Sequence, residues 1–179
     1  SLQGEIAVLP ILDSGKQGAI GFCKASNFPY KEYFLRRHNI PKSIGRSYTA
    51  SNQQRREYVA RMKLDLRGEK VNGKTVISVD DSNIRGTTAR TNNKRLRKAG
   101  AKQIINVFVS PRVTNICDLG MDHQNREKLV AYTDGDDLAD AVHADYVFNL
   151  SLPGMNQVIK ELYGTTFCTG CFGGQYAGR

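Results

Sequence analysis

Several things are scarce in this sequence, and each scarcity closes off a class of protein. No apolar run approaches the roughly eighteen residues that span a bilayer, and the start lacks the basic-then-apolar pattern of an export signal, so a cytoplasmic chain is expected. Four cysteines in 179 residues are too few for a disulfide-built scaffold; in an intracellular chain they raise the question of a metal instead. His38, His123 and His143 have no metal-ligand spacing and read as surface or loop histidines. No low-complexity segment is present and no repeat recurs at a solenoid-like period, which excludes repeat architectures. At this length one sizeable core is expected, so residues 1–179 are read as a single domain.

What is plentiful is positive charge, +9 in all, and it is not spread evenly. Residues 31–74 hold twelve lysines and arginines against four acids, whereas residues 101–179 are net acidic. A clustered basic field fits a nucleic acid, with Tyr33, Tyr48 and Tyr58 as stacking rings, or equally a polyphosphate substrate.

Short apolar runs alternate with amphipathic stretches, the rhythm of an α/β protein with a central parallel sheet flanked by helices. Strands are predicted at 6–12, 75–79, 103–109 and 146–150. Helices are predicted at 16–26, 89–99, 136–142 and 155–163, with Gly100 and Gly164 closing two of them. Residues 37–65 do not settle. They read as a long loop before a weakly helical 53–64, or as two short edge strands around Gly45-Arg46-Ser47-Tyr48.

The chemistry concentrates in residues 75–89, TVISVDDSNIRGTTA: a buried strand, two adjacent acids, a tight turn, then a helix. In an open parallel sheet, ligands bind beyond the carboxyl ends of the strands, where Asp80 and Asp81 would stand. The Ser82–Thr88 turn offers backbone N–H groups, hydroxyls and Gly86 just before a helix N-terminus whose dipole favours an anion. A phosphate cradle beneath carboxylates that accept sugar hydroxyls or hold a hard cation suits a phosphorylated, metal-bound sugar.

Residues 76–89 resemble the signature of the phosphoribosyltransferases, and the Asp80-Asp81-Ser82…Arg85-Gly86-Thr87-Thr88 core is most similar to the amidophosphoribosyltransferases. Ile11-Leu12-Asp13-Ser14-Gly15 resembles that family's pyrophosphate loop. Gly45-Arg46-Ser47-Tyr48, with Arg56-Glu57 and Lys63-Leu64, resembles its flexible loop. Ser110-Pro111-Arg112-Val113, Gly120-Met121-Asp122 and Cys168-Thr169-Gly170-Cys171-Phe172 follow its later landmarks in order.

The resemblance implies a type I phosphoribosyltransferase fold with a flexible lid loop, and a magnesium-dependent displacement of pyrophosphate from 5-phosphoribosyl-1-pyrophosphate by ammonia in purine synthesis. By position, Asp80 and Asp81 would meet the ribose hydroxyls and, with Ser14, the magnesium ion. Ser82, Arg85, Gly86, Thr87 and Thr88 would hold the 5-phosphate, Asp13, Ser14 and Gly15 the pyrophosphate, and Arg46 would close over them in the lid. The same resemblance implies a glutaminase domain or partner for glutamine use, absent from this sequence along with the start of the transferase domain, and a homo-oligomer.

In the iron–sulfur branch of the family, Cys117, Cys168 and Cys171 match three ligands of a 4Fe-4S cluster whose fourth ligand lies upstream of Ser1; Cys23 does not align with it. Two positions depart from the pattern: Leu12 stands in place of a proline, and Asn83 in place of an apolar residue, where asparagine tolerates left-handed turn geometry. The competing readings are a regulator that senses the same phosphosugar while binding nucleic acid, disfavoured by the lack of a DNA-reading element, and a nucleobase-salvage transferase.

Overall fold

The structure, a computed structural model, describes residues 2–37, 58, 64–117, 119, 125–130 and 138–177. In chain order the main elements are β1 (Ile6–Pro10), α1 (Gly15–Ser26), β2 (Phe34–Arg36), β3 (Leu64–Leu66), β4 (Thr75–Asp80), α2 (Thr87–Lys98), β5 (Gln103–Phe108), α3 (Leu138–Val142), β6 (Tyr146–Asn149) and α4 (Leu152–Tyr163). β1, β4, β5 and β6 form a parallel sheet in that spatial order, and β2 pairs antiparallel with β3 in a separate two-stranded sheet.

The four predicted strands are all present, each ending within two residues of its expected end. β4 is buried at all six positions because it lies between β1 and β5 with both faces covered, which is why its sequence is a continuous run rather than an alternation. α2 starts at Thr87, two residues earlier than its apolar pattern shows, and Gly100 takes a left-handed φ of +86° just past its end. α4 gains a turn at its start, where the Ser151 side chain accepts a hydrogen bond from the Gly154 N–H and a proline occupies the first turn.

β2 and β3 were not legible. Each is three residues long, too short to carry a period, and their pairing joins positions about thirty residues apart. Leu64, expected at the end of a weak helix, opens β3 instead. The alternative strands around Gly45–Tyr48 lie outside the described residues.

Two apolar clusters sandwich the sheet. Ala7, Leu9, Val76 and Ile104 face Leu96 of α2 and, beyond the sheet edge, Phe34 and Leu64 of the small sheet. Val8, Ile77, Val79 and Ile105 face Ala19 of α1, with Phe22 and Phe28 around it. Each large side chain fully buried here contributes on the order of 1.5–3 kcal/mol. α1 packs over β1 and β4, while β6 carries exposed aromatic rings on the same face. Tyr146 and Phe148 sit in register with Ile105 and Val107, so they project on the α1 side, where both rings are exposed and stack at 6.5 Å.

The other face contains a polar seam. Asn93 of α2 donates to Asn106 of β5 at 2.7 Å and to the Val142 carbonyl of α3 at 2.8 Å, while Asn106 donates to Ser78 Oγ of β4. Asn92 is equally buried, yet neither atom of its amide has a partner. An unmet buried polar group costs about 1–3 kcal/mol, whereas a paired one is costly to strand. Asn92→Leu is therefore expected to raise stability by ~1 kcal/mol or more and Asn106→Leu to lower it by ~2 kcal/mol. Opposite shifts of the urea midpoints check this.

Among the described residues no helix is long and apolar enough to cross a membrane.

Candidate functional site

β1 and β4 are neighbours, and each runs from its carboxyl end into a helix, β1 into α1 and β4 into α2. Both helices begin without a side-chain cap, although in α1 the Gly15 and Lys16 N–H groups donate to the carbonyls of Ile11 at 2.8 Å and Asp13 at 3.2 Å. Neither the α1 cap Ser14 nor the α2 cap Gly86 makes a side-chain capping bond, and neither first turn contains an acid. Two helix starts, each with the positive end of a helix dipole behind it, thus face the same edge of the sheet. Bases stand in their last turns, Lys24 in α1 and Arg95, Arg97 and Lys98 in α2, while Lys16 occupies the first turn of α1.

The paired acids stand between these two helix starts. Asp80, the last residue of β4, is 8% exposed, and its Oδ1 accepts the Ser14 hydroxyl at 3.1 Å and the Asp81 N–H at 2.9 Å. Asp81 is exposed, and its Oδ1 accepts the Ser82 N–H at 2.6 Å. Burial, and after it the neighbouring Asp81 charge, push the Asp80 carboxyl well above the usual carboxylate range. The site thus holds a carboxyl that is costly to ionise until a cation or a set of donors arrives.

Two glycines make the geometry possible. A Cβ on Gly15 would sit 2.1 Å from the Val79 carbonyl oxygen, so α1 approaches the end of β4 as closely as backbone allows. Gly86 holds φ +71°, and a Cβ there would meet Val130 at 2.9 Å. The Val130 N–H donates to the Ile84 carbonyl at 2.8 Å, and the Arg90 guanidinium donates to the Arg85 and Ala141 carbonyls, so the turn is braced from α2 and α3. Asn83 does not use left-handed geometry, which falls to Gly86; it is buried, and its Nδ2 has no hydrogen-bond partner.

Asp13, Ser14 and Gly15 therefore lie beside Asp80 and Asp81, with Ser82, Arg85, Gly86, Thr87 and Thr88 continuing directly into α2. The Leu12–Asp13 peptide, where the family pattern has proline, is cis. Arg46 falls outside the described residues. Sequence reasoning passed over Arg36, at the end of β2, which ion-pairs with Asp13; its only signal was membership of the basic segment.

The three cysteines of the family pattern are drawn to one region. The Cys171 carbonyl accepts the N–H groups of Thr114 at 2.9 Å and Asn115 at 3.1 Å, and Tyr176 Oη donates to the Ile116 carbonyl at 2.6 Å. Burial first, then the charges of Cys117 and Cys168, push the Cys171 thiol up, whereas the N–H groups of Gly170 and Ala177 hold the Cys168 thiol down. Among the described residues, however, no group of three His, Cys, Asp or Glu side chains is arranged to hold a metal ion. Cys23 packs elsewhere, against the α1 cluster.

No family model matches the chain. Known proteins do. The amidophosphoribosyltransferase of Synechococcus elongatus is 36% identical over 170 residues, which cover 94% of this chain and 34% of that protein. The amidophosphoribosyltransferase of Bacillus subtilis is 32% identical over 173 residues. The chain is homologous to the phosphoribosyltransferase part of the amidophosphoribosyltransferases. Two solved structures agree. The glutamine phosphoribosylpyrophosphate amidotransferase of B. subtilis, complexed with ADP and GMP, superposes with a TM-score of 0.75 at 31% identity, covering 97% of this chain and 38% of that one. A structure described as the allosteric regulatory enzyme of purine biosynthesis gives 0.77 at 32% identity, covering 99% and 38%. The fold is thus the type I phosphoribosyltransferase fold, and the chain spans about a third of the length of the relatives it matches.

Proposed function

We propose that residues 1–179 form the phosphoribosyltransferase domain of an amidophosphoribosyltransferase of purine synthesis, acting on 5-phosphoribosyl-1-pyrophosphate and ammonia. The observation that carries this reading is the pair of helix starts, neither with a side-chain cap nor an acid in its first turn, flanking Asp80–Asp81: a ligand with a phosphate at each end and a diol between them matches both helix dipoles and the acids. The α2 start, with Ser82, Arg85 and Thr87–Thr88, takes the 5-phosphate. Ser14 and Gly15 at the α1 start take the diphosphate. Asp80 and Asp81 accept the ribose hydroxyls.

Magnesium fits this donor set. Two carboxylates and the Ser14 hydroxyl are hard oxygen ligands, too few to enclose the ion alone, and magnesium commonly completes its shell with substrate phosphate and water. When bound, it would neutralise charge gathering on the leaving group. In the reaction the C1–oxygen bond to pyrophosphate breaks, ammonia forms the new C1–nitrogen bond, and a proton leaves the nitrogen. The transition state carries oxocarbenium character on the ring. The chain's contribution is to clamp both phosphates and orient the ribose through Asp80 and Asp81. No side-chain nucleophile is needed.

For a 4Fe-4S cluster the donor set is incomplete, since Cys117, Cys168 and Cys171 share one region while the remaining described thiol, Cys23, packs against the α1 cluster. No catalytic step is derived through it. A glutaminase domain or partner, a homo-oligomeric assembly and a cytoplasmic location complete the proposal. The exposed Tyr146–Phe148 face offers apolar surface for such contacts.

The test is pyrophosphate release from phosphoribosyl pyrophosphate with magnesium and ammonium chloride. Ammonia-dependent release is the expected result. Release that requires a free nucleobase instead would reassign the chain to salvage, and failure to bind the phosphosugar at all would remove the proposal.

A further inference from the structure

We infer that Arg36 is a binding residue for the diphosphate end of the ligand, held at the α1 start by Asp13; this rests on the phosphoribosyl pyrophosphate reading above.

The problem it solves is electrostatic. Asp13 immediately precedes the α1 cap, so its carboxylate opposes any anion arriving at that helix start. The Arg36 guanidinium, reaching across from the small sheet, is paired with that carboxylate. Neighbouring bases are committed elsewhere. Lys16 in the first turn of α1 pairs with Glu32 at 3.0 Å, and Arg37 is held in a two-point contact with Asp65, at 2.6 Å through Nε and 2.5 Å through Nη2. Arg36 is the base whose partner is itself part of the loop.

A guanidinium carries five donors in a planar fork, and one carboxylate occupies only part of it, leaving further N–H groups for phosphate oxygens. Strength does not explain the pair, since both side chains are about half exposed, at 52% and 64%, and an exposed ion pair is worth ~0–1 kcal/mol. What such a pair can do is re-pair cheaply. A multiply charged diphosphate at the α1 start competes for Arg36 on favourable terms, and Asp13 becomes the group that positions the guanidinium.

The experiment is isothermal titration of the 179-residue chain, as wild type, Arg36→Gln and Arg37→Gln, with two probes: pyrophosphate in the presence of magnesium, and ribose 5-phosphate. Arg36→Gln is expected to weaken pyrophosphate about tenfold or more and leave ribose 5-phosphate within about twofold, which also reports that the domain remains folded. Arg37→Gln, which removes the same charge one residue away, should leave both within about twofold. The inference is overturned if Arg36→Gln binds pyrophosphate like the wild type, or if the two variants lose it equally, since the loss would then belong to the general basic field. A wild-type chain that binds neither probe overturns the phosphoribosyl pyrophosphate reading itself.

Discussion

Asparagine at both Asp80 and Asp81 is expected to abolish magnesium-dependent binding of phosphoribosyl pyrophosphate, by about a hundredfold or more, while the chain stays folded. Hydrogen bonds to ionised groups are worth ~1.5–3 kcal/mol each, and the two carboxylates supply several, together with the negative charge facing the cation. The fold does not depend on that charge. Asp80 Oδ1 serves as an acceptor for Ser14 and the Asp81 N–H, a role an amide oxygen keeps.

The single Asp80→Asn variant is expected to be more stable than the parent at neutral pH. Below the unfolded value near 3.8, Asp80 is protonated in both states and burial costs little. As pH rises between that value and the raised folded one, the unfolded chain releases its proton while the folded chain retains it, so stability falls across this window. Above the folded value the deficit is constant, at ~1.4 kcal/mol for each pH unit of elevation. Urea midpoints measured from pH 4 to pH 8 without ligand check this. The gap between Asp80→Asn and the parent should widen as pH rises, and a gap that does not change with pH would mean that Asp80 is not held in its protonated form. A residue that destabilises the empty chain and is required by the loaded one is what a binding site is expected to contain.

Gly15→Ala is expected to be the most damaging single methyl group in the described chain. Its Cβ would lie 2.1 Å from the Val79 carbonyl oxygen and 3.0 Å from Asp80 Cα, contacts with backbone that no rotamer change relieves. Either α1 tips away from the sheet or the end of β4 shifts, and both move Ser14 off Asp80. Overpacking of this kind costs ~1–3 kcal/mol or more. The variant should therefore lose thermal stability and also lose binding of phosphoribosyl pyrophosphate beyond what unfolding explains. Gly21→Ala, where a Cβ would meet nothing within 4 Å, is the control and should leave both unchanged. Equal behaviour of the two variants would show that close packing of α1 on β4 does not build the site.

The site was legible wherever its parts are contiguous. Residues 75–89 place strand, acids, turn and helix in one stretch, so periodicity and turn chemistry suffice to read them. The Asp13–Gly15 loop was reached through resemblance rather than pattern, because three residues carry no period of their own. Asn83 was read as a left-handed turn residue from its type, but the turn gives that conformation to Gly86, whose missing Cβ also avoids Val130. Arg36 was hidden among twelve basic residues, since nothing local distinguishes it from Arg37; only the strand alternation and the position of Asp13 send the two side chains to different acids.

The sequence alone determined the parallel α/β layout and the strand–acid–turn–helix unit, because helix and strand periods, capping residues and glycine positions act over a few residues. Tertiary structure decided that Ser14 meets Asp80 across 66 positions, that two helix starts face one edge, and that Asp13 finds Arg36. These depend on which strands pair and on how closely α1 can approach β4. Such choices are made by packing the whole sheet, where no local signal reaches.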